Sequence, residues 1–184
     1  MMKKVLRLLA LVAALFMTGQ TAQAADLENT LYLDLPAGRV VIQMRPDLAP
    51  NHVKRIKELT RRGFYDGLVF HRVIAGFMIQ GGDPTGTGAG GSGEKLKAEF
   101  SGEHHVRGIV SMARSASPDS ADSQFFIMLG DNAGLDGKYT IWGQVTSGME
   151  FVDAIKKGDS GNNGKVTDPD HIVKMQVAAD AAKK

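Results

Sequence analysis

The stretch Phe70-His71-Arg72-Val73-Ile74-Ala75-Gly76-Phe77-Met78-Ile79-Gln80-Gly81-Gly82-Asp83 holds two apolar runs too short for helices, split by Ala75-Gly76. Val69 to Ile74 and Phe77 to Gly81 therefore read as strands on either side of a turn. The pattern repeats along the chain. Thr30 to Asp34 and Arg39 to Met44 flank the turn cluster Leu35-Pro36-Ala37-Gly38, and Gly108 to Ala113, Gln124 to Leu129 and Tyr139 to Val145 follow. Val173, Met175 and Val177 alternate with polar residues, so the chain closes with a strand. Two stretches change period. Asp47 and Pro50 start a helix, Val53, Ile56 and Leu59 recur at helical spacing, and Gly63 follows Arg61 and Arg62 as a stop, which predicts a helix from Pro50 to Arg62. A second is predicted from Met149 to Lys156, with Phe151, Val152 and Ile155 on its apolar side. Eight evenly spaced strands and two isolated helices predict an all-β fold: a closed eight-stranded antiparallel barrel capped by two α-helices.

Composition agrees. The chain has 184 residues, 43% hydrophobic and 23% charged, which is one ordinary globular domain and excludes disordered, collagenous and coiled-coil classes. Its 22 glycines are about 12% of the total, against a usual value near 7%. Many turns and little helix follow from that excess.

Lys3, Lys4 and Arg7 precede an apolar run from Leu8 to Met17, and Ala22-Gln23-Ala24 supplies small residues for a cleavage site. This is the pattern of a secretory signal peptide over residues 1–24, leaving one domain over 25–184. Ten apolar residues are too few to cross a hydrocarbon core, which needs about 20, so no stable membrane insertion is expected after cleavage. Without the leader's three cations the chain carries 19 Lys and Arg against 20 Asp and Glu. Nothing in that balance calls for nucleic acid or an anionic surface. The cysteine count is zero, which excludes a thiol nucleophile, a zinc-thiolate site and disulfide stapling. A bacterial periplasm fits the leader and the missing cysteines, and a monomer is expected.

Several generic motifs fail on context. Gly86-Thr87-Gly88-Ala89-Gly90-Gly91 matches the dinucleotide fingerprint, but Ser92 to Lys97 opens no helix to receive a pyrophosphate, so a flexible surface loop is expected there. Gly91-Ser92-Gly93 is not a nucleophile elbow. His104-His105 would point apart in a strand, and His52, His71 and His171 lack ligand spacing, so no metal is expected. Asp83 and Asp136 read as turn residues, and Trp142 as core.

One constellation is more specific. Phe70 to Asp83, then Gly108-Ile109-Val110-Ser111-Met112-Ala113, Ser123-Gln124-Phe125-Phe126-Ile127 and Leu135-Asp136-Gly137-Lys138, resemble in order and spacing the signature blocks of the cyclophilins, peptidyl-prolyl cis-trans isomerases. Arg62-Gly63-Phe64-Tyr65-Asp66-Gly67 is similar to the family as well, and the resemblance runs from about Thr30 to Val177. It implies a barrel with two capping helices, no cofactor, and proline-containing unfolded or partly folded polypeptides as partners. It also implies that Arg72 is the catalytic arginine and that Phe77, Met78, Phe126 and Leu135 form the proline pocket. Gln80 would bind peptide, with Gln124 and the Ala113–Arg114 backbone along the groove and Tyr139 on the rim. Read singly, the apolar four are ordinary core, Arg72 a surface salt-bridge arginine and the glutamines solvated strand residues; only their joint match implies a site.

The chemistry wants these residue types. Rotation about an X-Pro bond meets a barrier of roughly 18–20 kcal/mol. As the amide twists, its nitrogen regains a lone pair, so a fixed donor there helps the twisted state more than the planar one. Arginine stays charged and has donors to spare. Two departures from the family stand out: Gly134 replaces a tryptophan that contacts cyclosporin in many eukaryotic members, and Tyr139 replaces their histidine. Weak cyclosporin sensitivity is the expectation. The rival is a binding module or holdase on the same fold, and intact Arg72 favours the enzyme.

Overall fold

The computed structural model describes residues 26–181; the signal-peptide expectation lies outside them, as do the first and last residues of the 25–184 domain. Strands β1 (Thr30–Leu35), β2 (Gly38–Met44), β3 (Arg72–Ile74), β4 (Met78–Gly81), β5 (Ile109–Met112), β6 (Phe125–Met128), β7 (Ile141–Ser147) and β8 (Lys174–Val177) form one antiparallel sheet in the order β3-β4-β6-β5-β7-β2-β1-β8. The helices are α1 (Pro50–Arg61), α2 (Met149–Ala154) and a terminal turn, α3 (Ala178–Ala181), that the sequence did not announce.

The sheet curls but does not close, which corrects the expected barrel: β3 and β8 are edge strands that do not pair. The reason is local. The outer edge of β3 is occupied by the segment after α2, where Val73 donates its N–H to the Gly164 carbonyl and accepts from Gly158. Phe70 donates to Asp170, and Leu68 accepts from Ile172. That segment fills the seam, satisfying edge groups that would otherwise pair with another strand. The same geometry shortens two expected elements. Only Arg72–Ile74 of the Val69–Ile74 run is ladder-paired, with an isolated bridge at Val69. Helix α2 stops before Lys156, because Ile155 turns extended and the Lys156 N–H donates to Asp170. Val173 lies outside β8 and is 51% exposed, while Met175 and Val177 are buried.

Alternation along the strands separates two apolar clusters. One face carries the main core, in which Leu31, Leu33, Val40, Ile42, Ile79, Phe125, Ile127 and Trp142 are buried. Helix α1 adds Val53, Ile56 and Leu59, each side chain contributing roughly 1.5–3 kcal/mol on burial. Ala49 offers this helix no side-chain cap. Glu99 replaces it, accepting from the Asn51 and His52 N–H groups at 3.1 and 3.0 Å. The opposite face carries a second cluster of Met78, Ile109, Phe126, Met128 and Ile141, against which Phe77, Ala113, Leu135 and Tyr139 pack. Thus the candidate pocket residues belong to this outer cluster rather than to the main core.

Candidate active site

Register assembles the site. Arg72 lies opposite Gln80, Gln80 opposite Phe126, and Phe126 opposite Ser111, so four residues scattered between positions 72 and 126 form one row across β3, β4, β6 and β5. Arg72, Phe77, Met78, Gln80, Ala113, Arg114, Phe126, Leu135 and Tyr139 line one cavity of about 170 Å³. Of the residues singled out in the sequence, Gln124 alone is outside this lining; it borders an adjoining cavity of about 160 Å³ with Gln80, Ala113 and Arg114. The two cavities therefore make one continuous groove.

A chain of side-chain amides fixes the arginine. Gln124 Nε2 donates to the carbonyls of Gly88 and Gly90 at 3.0 and 2.8 Å, which leaves its Oε1 as acceptor. Gln80 Nε2 donates to that oxygen at 2.9 Å, and this turns Gln80 Oε1 toward Arg72. Arg72 Nη1 donates to it at 3.1 Å and lies 3.9 Å from the Met78 sulfur at the pocket floor. From the other side Asn163 accepts twice, its carbonyl from Nε at 3.0 Å and its Oδ1 from Nη2 at 2.9 Å. Three of the five N–H groups are thus held by oxygen, a fourth meets only the weakly accepting Met78 sulfur, and one on Nη2 is left over. Burial pushes the guanidinium pKa down from its usual value, with Tyr139 opposing, and the group stays a cation.

The rim is built from backbone-tied side chains. Arg114 lies over the Tyr139 ring, 4.5 Å from its centroid, and donates to the Lys138, Ser115 and Ala116 carbonyls. The Ala113 N–H is already taken by the Gln124 carbonyl, so Ala113 lines the groove without that donor. Phe126 and Tyr139 meet edge to face at 5.7 Å.

The glycine-rich loop is tied down, not the free surface loop its composition predicts. Asp83 is buried and its carboxylate accepts from the N–H groups of Thr85, Thr87 and Gly88 and from the Thr85 hydroxyl. Burial alone would raise its pKa; the hydrogen bonds from Thr85, Gly90 and Gly88 outweigh that and hold it at about 2. Gly82 begins the loop at φ +84°, where a Cβ would stand 2.5 Å from the Ser123 carbonyl oxygen. No side chain fits there.

Three contributors escaped the sequence. Asn163 lies 91 positions from Arg72 and adopts a left-handed φ of +50°, which asparagine tolerates. The carbonyls of Gly88 and Gly90 act through the backbone, which no motif records. His104 and His105 do not point apart: both ring Nδ1 atoms reach Asp136, at 2.7 and 3.0 Å, which makes Asp136 more than a turn residue. The His104 hydrogen bond leads in holding the Asp136 pKa at about 2. Among the described residues no group of three or more His, Asp or Glu side chains is placed to hold a metal, and no helix is long and apolar enough to cross a membrane.

Comparison with known proteins shows the family. The family described as "Cyclophilin type peptidyl-prolyl cis-trans isomerase/CLD" matches residues 30–177. A "Probable peptidyl-prolyl cis-trans isomerase" of Brucella suis is 53% identical over 173 residues, covering 88% of this chain and 88% of the relative. "Peptidyl-prolyl cis-trans isomerase B" of Bacillus subtilis is 45% identical over 123 residues, 66% of this chain and 85% of its own. Among solved structures, a Cryptosporidium parvum cyclophilin crystallised with the dipeptide Ala-Pro superposes with a TM-score of 0.73 at 30% identity, over 80% of this chain and 98% of that one. With a match that spans both the sheet and every strand of the groove, the chain belongs to the cyclophilin-type peptidyl-prolyl cis-trans isomerases, enzymes that rotate the peptide bond before proline.

Proposed function

We propose that this isomerase works by non-covalent stabilisation of a twisted amide, with Arg72 as the catalytic residue and the Phe77–Met78–Phe126–Leu135 cavity as the proline site. The observation that carries the proposal is the clamp on Arg72. Held by Asn163 and Gln80, the guanidinium has two N–H groups not bound to oxygen, one of them on the weakly accepting Met78 sulfur, beside an apolar cavity sized for a small ring. A donor fixed there meets the nitrogen lone pair that appears only as the bond twists, so it favours the transition state over either planar isomer.

Magnitudes divide the labour. A charge-assisted hydrogen bond contributes roughly 1.5–3 kcal/mol, about one or two decades of rate. Taking an unaided step of tens of seconds to milliseconds needs about four decades, roughly 5.5 kcal/mol. The remainder falls to the apolar pocket, which holds the proline ring while the preceding carbonyl turns in a largely dry site.

The substrates are proline-containing segments of unfolded or partly folded polypeptides, and the compartment is the periplasm. The basic and apolar leader ending at Ala22-Gln23-Ala24 and the absence of cysteine support that location, and folding of exported proteins is the role it implies. Isomerisation of a short Ala-Pro peptide by the purified mature chain tests the reading, beside Arg72→Ala and a blank. Acceleration that falls at least tenfold in the variant is expected. A folded chain that binds the peptide without accelerating it would make this a binding module instead, and cytoplasmic recovery after osmotic shock would refute the location.

A further inference from the structure

Behind the proline cavity sits a residue the mechanism above does not use. His105 is buried, and its bonds bracket Leu135. Its carbonyl accepts from the Asn132 N–H at 2.8 Å, on one side of Leu135. Its own N–H and its ring Nδ1 reach Asp136 Oδ1 at 2.8 and 3.0 Å, on the other side. The ring stacks on Phe126, centroids 6.2 Å apart and planes 20° from parallel, and meets Tyr139 edge-on at 6.4 Å. Its Nε2 faces the Ser111 hydroxyl at 3.2 Å, so it is also tied to β5. One residue therefore touches or brackets three of the side chains that wall the pocket.

Hydrogen-bond accounting fixes the Nδ1 side of the ring. A carboxylate only accepts, so the proton between His105 and Asp136 belongs to Nδ1. The other ring nitrogen, Nε2, lies 3.2 Å from Ser111 Oγ. The Ser111 hydroxyl donates to the Thr140 carbonyl at 2.8 Å, an oxygen whose second lone pair accepts from the Met112 N–H at 2.9 Å. The charged and titratable groups around the ring are Asp136, with His104 on its second oxygen, and Tyr139. Burial disfavours the imidazolium and outweighs the pull of Asp136.

We propose that His105 is a positioning residue for isomerisation: held by its Nδ1–H on Asp136 and packed beside Ser111, it keeps Leu135, Phe126 and Tyr139 as a rigid back wall for the proline ring. A wall that gives way loses its grip as the amide twists, because small misplacements of a site are magnified in rate.

The test uses the mature chain. In the unaltered protein at pH 7.5, ring ¹⁵N NMR of His105 is expected to show a protonated Nδ1, and the ring signals should move when an Ala-Pro peptide saturates the groove. His105→Phe keeps a ring on Phe126 but removes the ring hydrogen bonds; His105→Asn keeps a donor toward Asp136 but removes the stack. Each is expected to lower kcat/KM about tenfold well below its melting temperature, with broadened Leu135 methyl signals. Lys54→Ala, an exposed change on α1 away from the groove, should stay within twofold. Folded His105 variants within twofold of the parent would overturn the proposal, since a purely structural residue changes melting temperature alone. So would an unprotonated Nδ1, or a ring blind to peptide, and these readouts remain if the variants do not fold. The proposal rests on the pocket assignment above. Loss at Arg72→Ala without loss at His105 sinks this inference alone, whereas no loss at either sinks the pocket assignment too.

Discussion

Arg72 Nη1 donates to Gln80 Oε1 at 3.1 Å, between two residues that also face each other in the β3–β4 register. Backbone pairing thus sets the distance, and the amide chain from Gly88 and Gly90 through Gln124 sets the polarity. An amide that could flip would offer the arginine an N–H instead of an oxygen. Here it cannot flip without breaking the bond to Gln124.

Gln80→Leu removes this support while keeping the volume of the side chain. Asn163 still holds the guanidinium from the other side, so the expected loss in kcat/KM is about fivefold, roughly 1 kcal/mol, smaller than that of Arg72→Ala. A coupled peptide assay measures it. Full activity would show that the arginine needs no support from β4.

Gly164→Ala attacks the other half of the clamp. Gly164 has φ +76°, and a Cβ would stand 2.5 Å from Ile74 Cγ1 and 2.9 Å from the Val73 carbonyl oxygen. The loop must move, and with it Asn163. A stability loss of about 1–3 kcal/mol in denaturant is expected, together with reduced activity per folded molecule. Unchanged activity at reduced stability would detach Asn163 from catalysis.

Acid should loosen the glycine loop. The Asp83 pKa falls from 3.8 unfolded to about 2 folded, so between those values the unfolded chain binds more protons. The stabilisation, about 2 kcal/mol, is complete above pH 4 and is lost as pH falls toward 2. His71 acts in the same direction at higher pH: burial lowers its pKa, so the folded state resists its protonation below about 6.5. Urea unfolding of Asp83→Asn across pH 2 to 5 should lack the Asp83 slope that the parent shows.

The groove's strands were legible because apolar runs of four to seven residues, punctuated by glycine, leave little choice of element. Arg72, Gln80 and the apolar four were legible only as an ordered set of blocks, since each alone resembles core or surface. What stayed hidden is contact at a distance. Asn163 reaches Arg72, Glu99 caps α1, and the segment around Gly158 and Gly164 takes the edge of β3 that a closed barrel would have given to β8. Spacing along a chain carries no trace of such partners.

Gly134 places no ring over the cavity: it sits in the short turn Ala133–Leu135, its N–H held by Asn132 Oδ1 at 2.9 Å. Tyr139 is engaged by Arg114. Cyclosporin should therefore inhibit only weakly, at micromolar concentrations or above in the peptide assay. Nanomolar inhibition would contradict this account of the rim.

The central claim is that Arg72 acts on the twisted state rather than on binding. Exchange NMR on an Ala-Pro peptide reads both quantities in one sample, the dissociation constant from titration and the on-enzyme cis–trans rate from exchange. For Arg72→Ala the predicted result is a rate at least tenfold lower with Kd within about threefold of the parent. An unchanged rate, or a loss confined to Kd, would contradict it.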